Sequence, residues 1–330
     1  MKFTLIICTY KRARPLLQLL HSVSKQSLYP NEILIVDGSP DDETPTMLAA
    51  KEFQSLIYYK VPPEDRGLTR QRNYGIARVA SLSEIVCFLD DDTVLEPRYF
   101  EELLKTYASH PEALGVGGYI ANEVVWARVA EDYTPKITEF FYDGWKRTEG
   151  SRFILRKKLG LNSDCKPGCL PEFSHGRSVS FLPPSGKTYE VEQLMGGVSS
   201  FRKKVFETLQ FSTYFEGYGL YEDADFSLRV AKQGKLFINT CAQLSHYHHP
   251  SGRPNQYKYG KMVVRNGWYV WRTKNPQPEF KDQIKWHCIT ILLTLIRFSN
   301  IFTSAKKTEA LTEALGRTLG WSSLWFNKPK

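Results

Sequence analysis

Five short β-branched runs punctuate the first 120 residues, at 3–8, 32–36, 56–60, 84–89 and 114–119, and helix-period stretches fill the gaps at 15–25, 43–53, 68–80 and 97–109. Parallel strands need long crossover connections whereas antiparallel ones do not, so this spacing predicts βαβ units and a mostly parallel sheet. Pro15 and Pro97 stand at the start of two of the helix stretches, where a missing N–H costs nothing. In open sheets of this kind ligands sit outside the carboxyl ends of the strands. The residues that follow each strand are therefore the place to look for chemistry.

Beyond residue 120 the regular pattern breaks. From Glu123 to Glu192 the chain is aromatic and proline-rich, with Phe140-Phe141-Tyr142, Trp145 and Pro167, Pro171, Pro183 and Pro184, and reads as an insertion forming part of a binding wall. A strand is expected within 191–202, a helix over 224–233 stopped by Gly234, and a last strand at 236–239. Of the 330 residues 42% are hydrophobic and 24% charged, too apolar a chain to be disordered. The charge is local: between Lys258 and Lys307 ten Lys and Arg face only Glu279 and Asp282, which accounts for nearly all of the overall +9. The domain scheme is a catalytic region over 1–255 and a basic, mostly helical segment over 256–330. Six cysteines do not make a disulfide framework in a chain of this length, and Cys165 and Cys169 lack the second pair a zinc site needs. Phe3–Cys8 lacks the features of a signal peptide, so retention in the cytoplasm is expected. The longest uncharged apolar run, Cys288–Ile296, is shorter than the ~20 residues of a spanning helix. Trp286, Ile289, Leu292, Leu293 and Ile296 share one face if 284–302 is helical, and that face is expected to dock on an anionic membrane or pack in a core.

Three groups of residues carry chemical potential. Asp90-Asp91-Asp92 follows the hydrophobic strand ending at Leu89; in an extended chain Asp90 and Asp92 share a face and Asp91 points away. Adjacent like charges repel unless something positive lies among them, and a divalent cation answers that need while keeping a phosphate in its shell. Glu222-Asp223-Ala224-Asp225 stands at a helix start, where acids complement the dipole and Asp223 could be the N-cap. The same carboxylates could instead take a proton from a substrate hydroxyl. Ser245-His246-Tyr247-His248-His249 follows the last strand, and imidazole is an acceptable ligand for manganese-like ions.

Taken in order, Ile6-Ile7-Cys8-Thr9-Tyr10-Lys11-Arg12, Ile35-Val36-Asp37-Gly38-Ser39-Pro40-Asp41-Asp42, Gly67-Leu68-Thr69-Arg70-Gln71-Arg72-Asn73, Asp90-Asp91-Asp92, Gly196-Gly197-Val198-Ser199-Ser200 and Tyr221-Glu222-Asp223-Ala224-Asp225 resemble the family 2 glycosyltransferases, from Phe3 to about His249. The resemblance implies the α/β GT-A fold: a mostly parallel central sheet flanked by helices, here with a helical C-terminal extension. Within 1–255 it implies a nucleotide-binding half over 1–122, the insertion and acceptor wall over 123–192, and an acceptor and catalytic-base half over 193–255. Thr9, Tyr10 and Arg12 would hold base and ribose, with Asp37 accepting the N–H of a uracil-type base, as an acceptor-only carboxylate suits. Arg72 and Asp91 would belong to the nucleotide side, Asp90 would touch ribose or metal, and Asp92 and His246 would ligate the metal. Asp223, with Glu222 in reserve, would be the catalytic base.

The activity so implied is metal-dependent, inverting transfer of a sugar from a nucleoside diphosphate, with a leaning to UDP, to an acceptor hydroxyl in cell-surface glycan or polysaccharide synthesis. The cofactor would be Mn²⁺ or Mg²⁺. Expected partners are the nucleotide-sugar, a glycan or lipid-linked saccharide and an anionic membrane surface, with no nucleic acid; placement is cytoplasmic or peripheral on the inner face of the membrane. A sugar-nucleotide nucleotidyltransferase is the alternative, though Thr9-Tyr10-Lys11-Arg12 is poor in the glycine its phosphate loop needs. A non-enzymatic nucleic-acid binder built on the basic segment ranks third, because it leaves Asp90–Asp92 without purpose.

Overall fold

The computed structural model describes every residue except Glu131, Glu216, 250–253 and Lys330. In chain order it forms β1 (Phe3–Thr9), α1 (Ala13–Val23), β2 (Glu32–Asp37), α2 (Glu43–Ala49), β3 (Leu56–Lys60), α3 (Leu68–Ile76), β4 (Ile85–Asp90), β5 (Thr93–Leu95), α4 (Tyr99–Ser109) and β6 (Ala113–Ile120). There follow β7 (Ala127–Arg128), β8 (Glu139–Tyr142), β9 (Trp145–Thr148), α5 (Ser151–Lys158), β10 (Thr188–Val191), β11 (Val198–Arg202), α6 (Glu222–Ala231) and β12 (Lys235–His246). Three helices close the chain: α7 (Gln256–Lys274), α8 (Phe280–Thr303) and α9 (Lys307–Ser323). The chain divides into two compact units, Met1–Val125 with Val179–Gly252, and Trp126–Ser178 with Arg253–Lys330.

In the first unit a nine-stranded sheet runs β10-β12-β6-β11-β4-β1-β2-β3, with β5 paired to β12. β1 to β4 are mutually parallel where they pair, and β11 enters antiparallel between β4 and β6. The strands β1, β2 and β4 are buried almost end to end, which explains their near-continuous apolar sequence: a parallel sheet covered on both faces has no polar side to alternate with. α1 buries Leu16, Leu19, Leu20 and Val23, a helical stripe that joins Leu5, Ile7, Ile33 and Ile35 in the main core.

Two strands differ from the sequence reading. Within 191–202 the strand is β11, at Val198–Arg202, while β10 ends at Val191 and Glu192–Gly197 lies outside both. The last strand extends from Lys235 to His246, well beyond 236–239. Its polar middle, Thr240 to Gln243, carries no hydrophobic period, but an irregularity between Ile238 and Gln243 lets the chain re-register against β6 and then pair with β5.

The second unit divides the expected insertion, taking 126–178 and leaving 123–125 and 179–192 with the first. Tyr142 and Trp145, expected beside an acceptor, thus belong to the second unit. They close a hairpin in the small sheet β7-β9-β8, turning through Asp143 and Gly144, both at positive φ. Asp-Gly is the ordinary residue pair for such a turn, so the hairpin was legible and the reading of an irregular stretch was not needed. Arg177 makes two bonds to the buried Glu149, at 3.1 and 2.8 Å, and lies over Phe140 and Phe153. Cys165 is exposed and Cys169 partly buried, neither in a disulfide.

Tryptophans make the helical core. Trp271 and Trp286 stack with centroids 5.5 Å apart, Trp268 meets both edge-on, and Trp271 Nε1 donates to the Glu172 carbonyl at 2.7 Å. α7 and α9 approach closely through Gly260 and Gly316, where a Cβ would strike the backbone of Glu313 and Tyr257 respectively. α8 is 24 residues, long and apolar enough to cross a membrane by length and composition alone. Of the two roles expected for the Trp286 face, it takes the packing one: Trp286 and Ile289 are buried and Leu292, Leu293 and Ile296 partly so. The tryptophan cluster decides this, because the helix is apolar nearly all round between His287 and Arg297 and its sequence cannot say which side turns inward.

Candidate functional site

Strand register assembles the acids. β1 lies between β2 and β4, so Thr9 sits opposite Asp37 and Cys8 opposite Asp90. The chain leaves β4 at Asp90, turns through Asp91 and Asp92, and re-enters the sheet at Thr93, which pairs with His246 at the end of β12. An imidazole 154 residues away is thereby delivered to the turn, its Nε2 3.0 Å from Oδ1 of Asp92. One donor atom each from Asp90, Asp92 and His246 lie within 4.8 Å of one another. Two carboxylates and an imidazole are a donor set that suits a manganese-like ion. Asp90 is the open member, its side chain 39% exposed, while Asp92 is buried.

Asp91 lies inside the turn, where the alternation of an extended strand no longer applies, and is not among those donors. Its buried carboxylate accepts from the Thr9 hydroxyl at 2.7 Å and from Arg12 Nη1 at 3.0 Å. Arg12 also reaches Asp92 at 3.3 Å and the His249 carbonyl at 3.1 Å. Thr9 and Arg12, read from the sequence as nucleotide contacts, therefore have side chains bound to the acid turn, because buried carboxylates need compensating partners. Tyr10 is exposed at the same loop.

Burial pushes Asp91 up to about 7, against the pull of Arg12 and Thr9. Burial acts on Asp92 in the same sense, but His246, the His249 N–H at 2.7 Å and Arg12 overcome it and hold Asp92 down at about 2. Burial disfavours a charged His246, yet its bonds to Asp92 and Glu123 raise it to about 10. A metal ion must displace that proton.

Asp37 is fully buried, its Oδ1 accepting from the Ser39 N–H at 2.7 Å and its Oδ2 from the Tyr58 hydroxyl at 3.0 Å. Arg72, on α3, is buried between Phe88 and Phe211; its Nη1 is 2.6 Å from Glu222 and its Nη2 3.9 Å from Asp90. Gly197 leaves room for the acid: its carbonyl accepts the Asp90 N–H at 3.1 Å, and a Cβ there would push the Asp90 carboxylate from its place.

The two acids of α6 have different surroundings. Glu222 is buried against Arg72, its Oε2 without a hydrogen-bond partner, and burial raises it to about 8 despite that arginine. Asp223 is partly exposed, and burial outweighs the hydrogen bonds it accepts from Gly196 N–H at 3.0 Å and Ala224 N–H at 2.8 Å in raising its pKa. The helix begins at Glu222 after Tyr221 in the left-handed region, so Asp223 stands inside the first turn and is not the N-cap.

Sequence reasoning passed over three contributors. Tyr58 closes on Asp37; Gln71, inside a quoted motif, ties Thr9 to Val36 through their carbonyls at 3.1 and 2.8 Å; Glu123 lies 3.5 Å from His246 and 2.8 Å from His248. Gln71 was reachable from its spacing one residue before Arg72, whereas Tyr58 and Glu123 owe their place to strand order.

The fold and this arrangement together define a glycosyltransferase of the GT-A class. The structure of GalNAc-T7 with UDP, GalNAc and Mn²⁺ matches with a TM-score of 0.52 at 16% identity, over 82% of this chain and 49% of that one. The family model "Glycosyl transferase family 2" matches residues 4–169, and a model for the N-terminal domain of galactosyltransferase matches 176–251. The chain belongs to glycosyl transferase family 2, a family of enzymes that transfer glycosyl groups. Among curated relatives it is 26% identical over 145 residues to the glucosyl-dolichyl phosphate glucuronosyltransferase of Haloferax volcanii, covering 43% of this chain and 44% of that protein. It is also 26% identical over 118 residues to the O-antigen chain rhamnosyltransferase RfbN of Salmonella typhimurium, covering 36% and 37%. The chain thus spans less than half the length of these relatives.

Proposed function

We propose that this chain transfers a sugar from a UDP-linked donor to an acceptor hydroxyl with inversion, using a divalent cation held by Asp90, Asp92 and His246. The observation that carries the reading is the convergence of those three donor groups at the strand ends, with the partly exposed Asp223 as a second acid. When bound, the ion supplies positive charge to a departing diphosphate. Tyr10 offers an exposed ring to base or ribose, whereas Asp37, expected to meet the base, is fully buried with its two oxygens taken by the Ser39 N–H and the Tyr58 hydroxyl. Asp223, reachable and with its pKa raised, takes the acceptor proton as the new glycosidic bond forms. Arg72 neutralises Glu222 and leaves Asp223 as the available base.

The UDP and Mn²⁺ in the GalNAc-T7 structure support the choice of donor and ion, and the glucosyl-dolichyl phosphate named for the Haloferax relative supports a lipid-linked saccharide as acceptor. With such an acceptor we read the enzyme as working at a membrane surface in glycan synthesis, on the cytoplasmic side that the sequence reading expects. A nucleotide-sugar panel with and without Mn²⁺ tests the reading: release of UDP that depends on the metal is expected. Release of pyrophosphate, or no metal-dependent turnover of any donor, would overturn it.

A further inference from the structure

Two faces of the C-terminal helices are apolar and open. On α8 the outward positions are Ile284, Cys288, Ile291, Leu295, Ser299 and Phe302, all exposed and without a charge. Leu295 is 57% and Phe302 85% exposed. On α9 and the turn after it, Leu311, Leu315, Leu319 and Phe326 recur at helical spacing, with Thr308, Thr318 and Ser322 completing an uncharged face. The two helices pack on one another: Arg297 meets Glu313 at 2.7 Å, and Trp321 Nε1 donates to His287 Nδ1 at 3.0 Å. Exposed apolar residues repeated along a helix face in this way mark a docking site.

Charge identifies the occupant. The second unit carries 24 Lys and Arg against 11 Asp and Glu, a net of +13. Exposed lysines stand at both ends of the apolar face: Lys281 and Lys328 where α8 begins and the chain ends, Lys306 and Lys307 at the turn between the helices. A second copy would bring an equal positive charge against this one, whereas anionic lipid attracts it. α8 carries Asp282, Lys285 and Arg297 on its other sides, with Arg297 tied to Glu313, so one face alone is suited to lipid.

We infer that α8 and α9 lie in the interface of an anionic membrane, inserting Ile284, Ile291, Leu295, Phe302, Leu311, Leu315, Leu319 and Phe326 among the acyl chains while the lysines meet the headgroups. This is the geometry of a helix that lies on a bilayer without spanning it. It deepens the proposal of a lipid-linked acceptor, and it is read by vesicle binding, which requires no donor, metal or turnover.

The test is co-sedimentation of the full chain with phosphatidylglycerol and phosphatidylcholine vesicles. Wild type binds phosphatidylglycerol at low salt, more weakly at high salt, and phosphatidylcholine least. The exposed pair Leu295→Glu with Leu315→Glu weakens binding at least ~10-fold with unchanged circular dichroism. A second variant, Lys306→Gln with Lys307→Gln, leaves every apolar contact and loses about fivefold per lysine at low salt only. Equal recovery of wild type and the leucine variant in the supernatant would overturn the inference. So would a wild-type dimer, by light scattering without lipid, that the leucine changes dissociate.

Discussion

Residues 1–125 and 179–252 carry 20 Lys and Arg against 24 Asp and Glu, while 126–178 and 253–330 carry 24 against 11. The two regions also use their charges differently. In the first, the cations Arg12 and Arg72 are turned inward onto Asp91, Asp92 and Glu222, and the acids that remain open, Asp90 and Asp223, are the ones a ligand can reach. In the second, the helical core centres on Trp268, Trp271 and Trp286, with buried acids such as Glu313 paired to Arg297 and Arg317, and many lysines are exposed beside apolar faces. An acid-rich site needs nearby cations to hold its unused carboxylates, so that only selected ones titrate or bind. A surface that meets anionic lipid needs its cations at the surface, where the ion pairs Lys281–Glu279 and Lys306–Glu309 are exposed and exchangeable, and its apolar residues unspent.

If that division of labour is right, changes in one region leave the other's readout alone. Asp223→Asn is the sharpest case: transfer falls ~10²–10⁴-fold, while calorimetric UDP and Mn²⁺ binding and vesicle binding stay at wild-type levels. Transfer at near wild-type rate would return Asp223 to its two backbone hydrogen bonds. Trp286→Ala, in the other region, removes a stacked indole and costs about 3–5 kcal/mol, read as a lower denaturation midpoint with loss of near-ultraviolet circular dichroism.

Metal binding distinguishes the regions less steeply. At pH 8 His246 still carries its proton, since its pKa stands near 10, and an incoming cation has to expel it. Mn²⁺ affinity should therefore rise about tenfold per pH unit below that value, with one proton released per ion in calorimetry across buffers of different ionisation enthalpy. Asp92→Asn abolishes both effects, and a pH-independent affinity would remove His246 from the ligand set.

The smallest effect belongs to His175 in the second unit, whose pKa burial lowers to about 3, helped by nearby arginines. The unfolded histidine, near 6.5, binds a proton that the folded one refuses, so stability falls as pH drops from about 6.5 toward 3. His175→Gln should flatten that slope in urea titrations over the same window while leaving the Mn²⁺ profile unchanged.

Much of the first region is readable because its evidence is local. The strand and helix periods predict β1 to β4 and the intervening helices to within a few residues, since a doubly covered parallel sheet writes its burial directly into contiguous apolar runs. The acid turn after β4 and the acids of α6 announce themselves by placement alone. The long last strand was not readable: its polar middle holds its register through pairing with β6 and β5, a property of the partners.

Residue order alone is enough for the succession of strands along the chain, the acids at their ends, and the excess of positive charge beyond residue 257. Tertiary structure decided which of those acids stay open. Arg12, one of the cations assigned to the nucleotide, turns onto Asp91 and Asp92, and Glu222 is withdrawn onto Arg72, because buried charges must be compensated by whatever the fold brings within reach. It also decided which side of α8 turns outward. A run such as Cys288–Ile296 is apolar in every direction, and only the tryptophans that stack against Trp286 make one side interior and leave Ile291 and Leu295 exposed.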